Sequence, residues 1–205
     1  REQLVTRFLS SEGEIPLGNL LTGNLTMDEW KRTAHACAAV SSLGILVNDN
    51  PTLTVAEMNA QCRRLNNLGL VMIDYLQLMQ GSGSKNSWAS ESRQQVVSDI
   101  SRMMKIMAKE LNVPVLCLSQ LSRANEQRQD KRPMLSDLRE SGSIEQDADI
   151  VMFIYRDDYY DDESENKNIA EIIIAKNRHG ATGTIELQWV GQYTTFSNPD
   201  RIHEE

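Results

Sequence analysis

An α/β architecture is predicted, with a mostly parallel sheet flanked by helices and a C-terminal antiparallel hairpin. Three observations predict it. Apolar runs of strand length recur at Leu70–Ile73, Val113–Ser119, Ile150–Tyr155 and Glu171–Lys176, and the first reads as a strand buried on both faces. An amphipathic stretch, Gln94 to Leu111, lies between the first two runs and makes a βαβ unit, whose crossover is right-handed and whose strands are parallel. Thr182–Val190 and Tyr193–Phe196 flank Gly191-Gln192 as a hairpin.

The elements follow in order. Arg1 to Gly13 reads as a helix already under way, with Leu4, Val5, Phe8 and Leu9 on one face. Thr26 and Glu29 form a capping box that opens a helix running to about Val40. Gly44–Val47 reads as a short strand. Thr54 and Glu57 form a second capping box, opening a helix that ends near Asn67-Leu68-Gly69. Gln80 to Ser92 is rich in Gly, Ser and Asn and reads as a loop. Within Gln94–Leu111, Val97, Ile100, Met103, Met104, Met107 and Leu111 recur at helical spacing, so this stripe is core packing. Ser136 is placed to cap a short helix. Ser141-Gly142-Ser143 then breaks the chain and puts Arg139 and Glu140 at a turn. The acidic run Asp157–Glu165 reads as a solvated loop between strands. No internal repeat is present.

Composition narrows the function classes. The 205 residues fit one domain or a domain with an appendage, and 40% hydrophobic content is ample for a core. A net charge of −8 argues against a surface that binds nucleic acid throughout, but leaves room for a local basic loop. The three cysteines, Cys37, Cys62 and Cys117, are isolated, without metal-ligand spacing, and fit a reducing cytosol. No signal peptide is present, and no apolar run is long enough to span a bilayer.

The chemistry concentrates where strands end. Asp74 closes the Leu70–Ile73 strand, where ligands bind in open α/β sheets and where P-loop NTPases keep the carboxylate that holds Mg²⁺ through water. The alternative is an Asp that caps the next turn. Gln120 closes the following parallel strand, so both leave the sheet at the same edge. A polar, basic segment with Arg123, Arg128, Lys131 and Arg132 follows, either a solvated face or a working loop. Lys176 and Arg178 are two apart and project from one face of an extended backbone. Such a pair is either solvated or shares an anion such as a phosphate.

LVMIDYLQLM, VPVLCLSQLSR, LSDLRESGSIEQDADIVMFIYRDDYY and IIIAKNRHGATG, in this order, resemble the C-terminal motor domain of DnaB-type replicative DNA helicases, and the resemblance covers residues 1–205. It implies a RecA-like P-loop NTPase core that assembles as a homo-hexameric ring, encircles single-stranded DNA and moves 5′ to 3′ while hydrolysing ATP with Mg²⁺. It implies a cytoplasmic primosome protein that meets a primase and a helicase loader. By position in the motifs, Asp74 resembles the Walker B carboxylate, and Gln120 the glutamine that senses the γ-phosphate. Lys176 and Arg178 resemble the pair that enters the neighbouring subunit's nucleotide site. Arg139, Glu140 and Gly142 match the loop that holds DNA in the channel, and Arg123 belongs to the basic segment that joins it.

One departure is decisive. No G-x-x-x-x-G-K-[ST] occurs, and Gly81–Ser87 does not replace it. The carboxylate that the family places just ahead of REQLVTR is absent as well. The resemblance therefore implies a domain truncated at its N-terminus, with an open sheet edge, that does not hydrolyse ATP alone although the intact protein does. The competing reading is a non-catalytic RecA-like module for assembly or DNA binding. A RecA/RadA-type recombinase shares the core but not the DLRESGSIEQDAD and KNRHG segments.

Overall fold

The computed structural model describes residues 1–50, 52–79, 93–122 and 127–199, with backbone alone at 93 and 139–142. The chain divides into two compact units, Arg1–Asp49 with Ile154–Ile172 and Thr184–Glu205, and Asn50–Phe153 with Ile173–Gly183.

In the first unit, α1 (Glu2–Gly13) packs on α2 (Leu17–Thr22) and α3 (Met27–Ser42). The packed face of α1 matches the expected one only in part, with Phe8 and Leu9 half-buried. Leu4 and Val5 are exposed, and the fully buried residues are Ser10 and Ile15. Glu14 takes a left-handed conformation (φ 49°) that folds Ile15 back under the helix, where the Ser10 hydroxyl donates to its carbonyl at 2.7 Å. The capping box of α3 forms as predicted: Thr26 N–H donates to Glu29 Oε2 (2.7 Å) and Glu29 N–H to Thr26 Oγ1 (3.2 Å). Such a cap stabilises a helix by about 1 kcal/mol. Gly44–Val47 is not a strand; its apolar side chains are exposed, and no described strand lies alongside to take its backbone groups. The acidic run is partly built in rather than solvated. Asp157 accepts from Tyr155 Oη (2.8 Å) and Ser164 Oγ (2.6 Å), and Asp158 pairs with Arg156 and accepts from Asn168 N–H (2.9 Å). A 3₁₀ turn at Asp157–Tyr159 results.

In the second unit, α4 (Val55–Cys62) carries the predicted capping box but ends earlier than Asn67. After Cys62 the backbone tightens into i→i−3 bonds, Arg64 N–H to Gln61 O and Leu65 N–H to Cys62 O, which close the helix. Strands β1 (Val71–Ile73) and β2 (Val115–Cys117) pair in parallel, joined through α5 (Arg93–Leu111). The predicted stripe on α5 is the core: Val97, Ile100, Met104 and Met107 are buried against Val55, Val71, Ile73 and Leu76.

Burial of β1 on both faces does not hold, since Met72 is 62% exposed. On β3 (Ile150–Tyr155), Val151 and Phe153 are buried beside Leu138, while Ile150 and Met152 are exposed. A continuous apolar run states that both faces favour cover. Among the described residues, α5 and its neighbours supply it to one.

A 3₁₀ helix, Leu135–Ser141, runs directly into α6 (Gly142–Asp147), so Ser141–Ser143 does not break the chain. Ser136 lies inside the 3₁₀ turn and is not its cap. Asp137, also inside the turn, reaches back from its third position and accepts from Met134 N–H at 2.8 Å. Ser143 Oγ donates to Ser98 Oγ on α5 (2.8 Å), which ties the junction down. β3, β4 (Ile169–Asn177), β5 (Gly183–Val190) and β6 (Thr195–Ser197) line up in that order in a four-stranded sheet. β5 and β6 form the predicted antiparallel hairpin, with Trp189 opposite Phe196.

Candidate functional site

The register sets the first part of the site. Val71, Met72 and Ile73 pair with Val115, Leu116 and Cys117, so Asp74 and Gln120 emerge at the same end of a parallel ladder. Two backbone bonds extend that ladder past the strands, Leu118 N–H to Ile73 O and Leu76 N–H to Leu118 O, both 2.9 Å. Asp74 and Gln120 are exposed. The peptide bond between Asp74 and Tyr75 is cis. Beneath the rim, burial pushes the Cys117 thiol up to about 12, and the Asp74 charge adds to the shift.

A residue passed over in the sequence joins the two exits. Gln77, in the 3₁₀ turn Leu76–Leu78, donates from Nε2 to Ser119 Oγ (3.0 Å) and Gln120 O (3.1 Å). Its Oε1 accepts from Gln120 N–H at 3.2 Å. One primary amide thus fills both backbone valences of Gln120 and leaves the Gln120 side chain uncommitted by that bracing.

The second part lies at the C-terminal end of α6. Lys176 Nζ donates to Glu145 O and, at 2.8 Å, to Ala148 O. Arg178 donates from Nη2 to Gln146 O (3.1 Å), and its Nη1 lies 3.4 Å from Asp149 Oδ1. These are the last carbonyls of a short helix, where partial negative charge collects. The two cations share no acceptor among the described residues: Lys176 is held by carbonyls, and Arg178 by a carbonyl and the Asp149 carboxylate. Neither is sunk in the core, and the Arg178 side chain is 47% exposed. Lys105 from α5 also donates to Asp149. That bond, with the charges of Lys105, Arg178 and His179, holds the Asp149 carboxyl below the ordinary carboxylate range against the cost of desolvation. Asp149 closes the DLRESGSIEQDAD segment without a role of its own there, and Lys105 lies outside the quoted motifs; only the fold brings Lys105 on α5 to Asp149.

Arg139, Glu140 and Gly142 lie where the 3₁₀ helix passes into α6. Arg123 falls outside the described residues. Among the described residues no group of three or more His, Cys, Asp or Glu side chains is placed to hold a metal ion. A lone exposed carboxylate such as Asp74 fits a hydrated Mg²⁺ that draws its other ligands from water and phosphates, and does not fit an ion caged by protein. No helix among the described residues is long and apolar enough to cross a membrane.

The family profile for the DnaB-like helicase C-terminal domain matches residues 1–198. The chain is 58% identical over its full length to the replicative DNA helicase DnaC of Bacillus subtilis (strain 168), of which it covers 45%. It is 55% identical, again over its full length, to the replicative DNA helicase DnaB of Geobacillus stearothermophilus, with 45% of that protein covered. The chain thus spans about half the length of the curated relatives it matches. Among solved structures, one ATPase domain superposes with a TM-score of 0.90 at 43% identity, covering 96% of this chain and 70% of that one. A DnaB-like replicative helicase, solved in a study of its interactions with primase, gives a TM-score of 0.88 at 44% identity, covering 95% of this chain and 47% of that one.

Proposed function

The chain belongs to the DnaB-like helicase C-terminal domain family, and from that premise we propose that it is most of the motor domain of an ATP-dependent replicative DNA helicase. In this reading residues 1–205 are one RecA-like ATPase domain that works in a homo-hexameric ring, encircling single-stranded DNA and moving 5′ to 3′. Its setting is the cytoplasmic primosome, with a primase and a helicase loader as partners. The observation that carries the reading is the common exit of Asp74 and Gln120 from parallel strands, braced by Gln77.

The side chains divide the work. Asp74 would hold Mg²⁺ through the ion's water shell. Bound Mg²⁺ supplies neutralisation of the phosphate charge. The Gln120 amide, its backbone held by Gln77, is free to turn toward the terminal phosphate. Lys176 and Arg178 act on the neighbouring protomer's nucleotide, where two cations offset charge developing on the transferred phosphoryl group. To reach it they exchange the α6 carbonyls for phosphate oxygens, which are stronger acceptors for charged donors. The segment holding Arg123, Arg139, Glu140 and Gly142 contacts the DNA backbone, where Gly142 lets the chain approach a phosphate closely.

Residues 1–205 contain no glycine-rich phosphate loop, so this stretch alone does not hydrolyse ATP. That same feature favours the second reading, a RecA-like assembly or DNA-binding module. Full-length Lys176→Ala and Arg178→Ala variants separate the two. The motor reading expects steady phosphate release to be abolished with nucleotide affinity largely kept. Loss of nucleotide binding overturns the role in trans, and unchanged hydrolysis overturns the motor assignment of the pair.

A further inference from the structure

We propose that Arg128 and Asp137 form an internal clasp that positions the DNA-contacting backbone around Arg139 and ties it to the β2 rim that carries Gln120. The proposal rests on the helicase reading above and assigns it a pair of positioning residues.

The geometry is that of a two-pronged ion pair whose carboxylate is buried and whose arginine side chain is 30% exposed. Arg128 Nη1 donates to Asp137 Oδ1 at 3.0 Å, and Nη2 to Oδ2 at 2.8 Å. Nη2 also donates to Arg132 O at 2.9 Å, and Met134 N–H donates to Asp137 Oδ2 at 2.8 Å. The Asp137 side chain is 4% exposed. The Asp137 main chain faces the other way along the same path, its carbonyl accepting from Ser122 N–H at 3.1 Å. Ser122 stands two residues after Gln120, and Arg139 two residues after Asp137. A short covalent step, one backbone hydrogen bond and another short covalent step therefore join the two.

Charge separates this pair from the rest of the basic segment. Arg128 sits among Arg123, Lys131 and Arg132, all of which read from sequence as a solvated or nucleic-acid-facing run. Its terminal nitrogens are occupied by a carboxylate and a carbonyl, and its Nε is buried without an acceptor among the described residues. An arginine committed in this way does not stand ready for a phosphate. A buried carboxylate that loses its guanidinium becomes an uncompensated charge, so the pair holds one geometry strongly. The planar fork is what matches two carboxylate oxygens at once, and a lysine does not reproduce it.

The clasp and a direct phosphate contact predict opposite signs. Asp137→Asn removes a negative charge close to a DNA-binding loop. By long-range electrostatics alone, the polyanion should then bind the same or more tightly. The clasp predicts weaker binding, by about 2- to 30-fold, the range expected for a residue that carries coupling without touching ligand. Arg128→Lys keeps the charge. It restores affinity if Arg128 meets a phosphate and fails to restore it if the fork is what matters.

The experiment uses the full-length protein and oligo(dT) binding by anisotropy, with a non-hydrolysable ATP analogue, across a salt series. Wild type, D137N, R128K and R128A are compared, together with the R128A/D137N double variant. Expected are weakened binding in each single variant, a double variant no weaker than the worse single one, and DNA-free hydrolysis within about twofold of wild type. Wild-type affinity in D137N or R128K overturns the clasp while leaving the helicase reading intact. Should D137N fail to fold, R128K decides by the same comparison. A wild-type protein that neither binds oligo(dT) nor hydrolyses ATP overturns both.

Discussion

Gln77→Ala removes three hydrogen bonds at a single stroke, and their geometry sets the size of the effect. A neutral intramolecular hydrogen bond has a net worth of about 0.5–1.5 kcal/mol. Gln120 is exposed and Gln77 half-buried, so water replaces part of each bond and the lower end applies. Three bonds at about 0.5 kcal/mol each come to about 1.5 kcal/mol. If that energy holds Gln120 in the orientation needed at the transition state, kcat falls about tenfold. KM for ATP stays within about twofold if Gln120 meets the terminal phosphate only as the transition state forms. The assay is steady phosphate release by the full-length protein at saturating single-stranded DNA. Hydrogen exchange at the Gln120 amide, which loses its acceptor, gives a local readout. Gln77→Glu does not rescue, since a carboxylate accepts from Gln120 N–H but cannot donate to Gln120 O. A kcat for Gln77→Ala within about twofold of wild type, with faster exchange at Gln120, refutes the reasoning: the brace then exists without serving hydrolysis.

Two further outcomes test the scaffold beneath the site. Met107 is 1% exposed in the α5 stripe, and Met107→Ala should destabilise the protein by about 2–5 kcal/mol; a urea midpoint that drops with an unchanged slope checks it, and a loss under about 1 kcal/mol shows that this core collapses around the gap. Asp149 has a folded-state pKa held below its ordinary value, chiefly by Lys105, so its contribution is complete above about pH 3.9 and fades as pH falls through the lowered value. Asp149→Asn should therefore melt below wild type at neutral pH, with the gap closing in acid. A gap that stays constant from about pH 6 down to about pH 2.5 contradicts the linkage.

The sequence carried the local decisions. Both capping boxes, at Thr26 and Thr54, formed because a hydroxyl and a carboxylate three residues apart satisfy each other's backbone N–H within one turn. The α5 stripe and the hairpin at Gly191 were legible for the same reason, since helix period and turn chemistry are written into neighbouring residues. Even the common exit of Asp74 and Gln120 was accessible, because a strand–helix–strand connection of one hand leaves its strands parallel.

What the tertiary structure alone decided is which groups meet across distance, and which faces find cover. Apolar character made Met72 and Met152 want burial, but no element described in this chain lies over them. Side-chain type made Lys176 and Arg178 want an anion, and folding supplied the α6 carbonyls and Asp149. Gln77 and Asp137 are ordinary polar residues by composition. They acquire roles only because Gln120 and Arg128 are brought within hydrogen-bond reach, a condition set by the packing of whole elements and not by any local propensity.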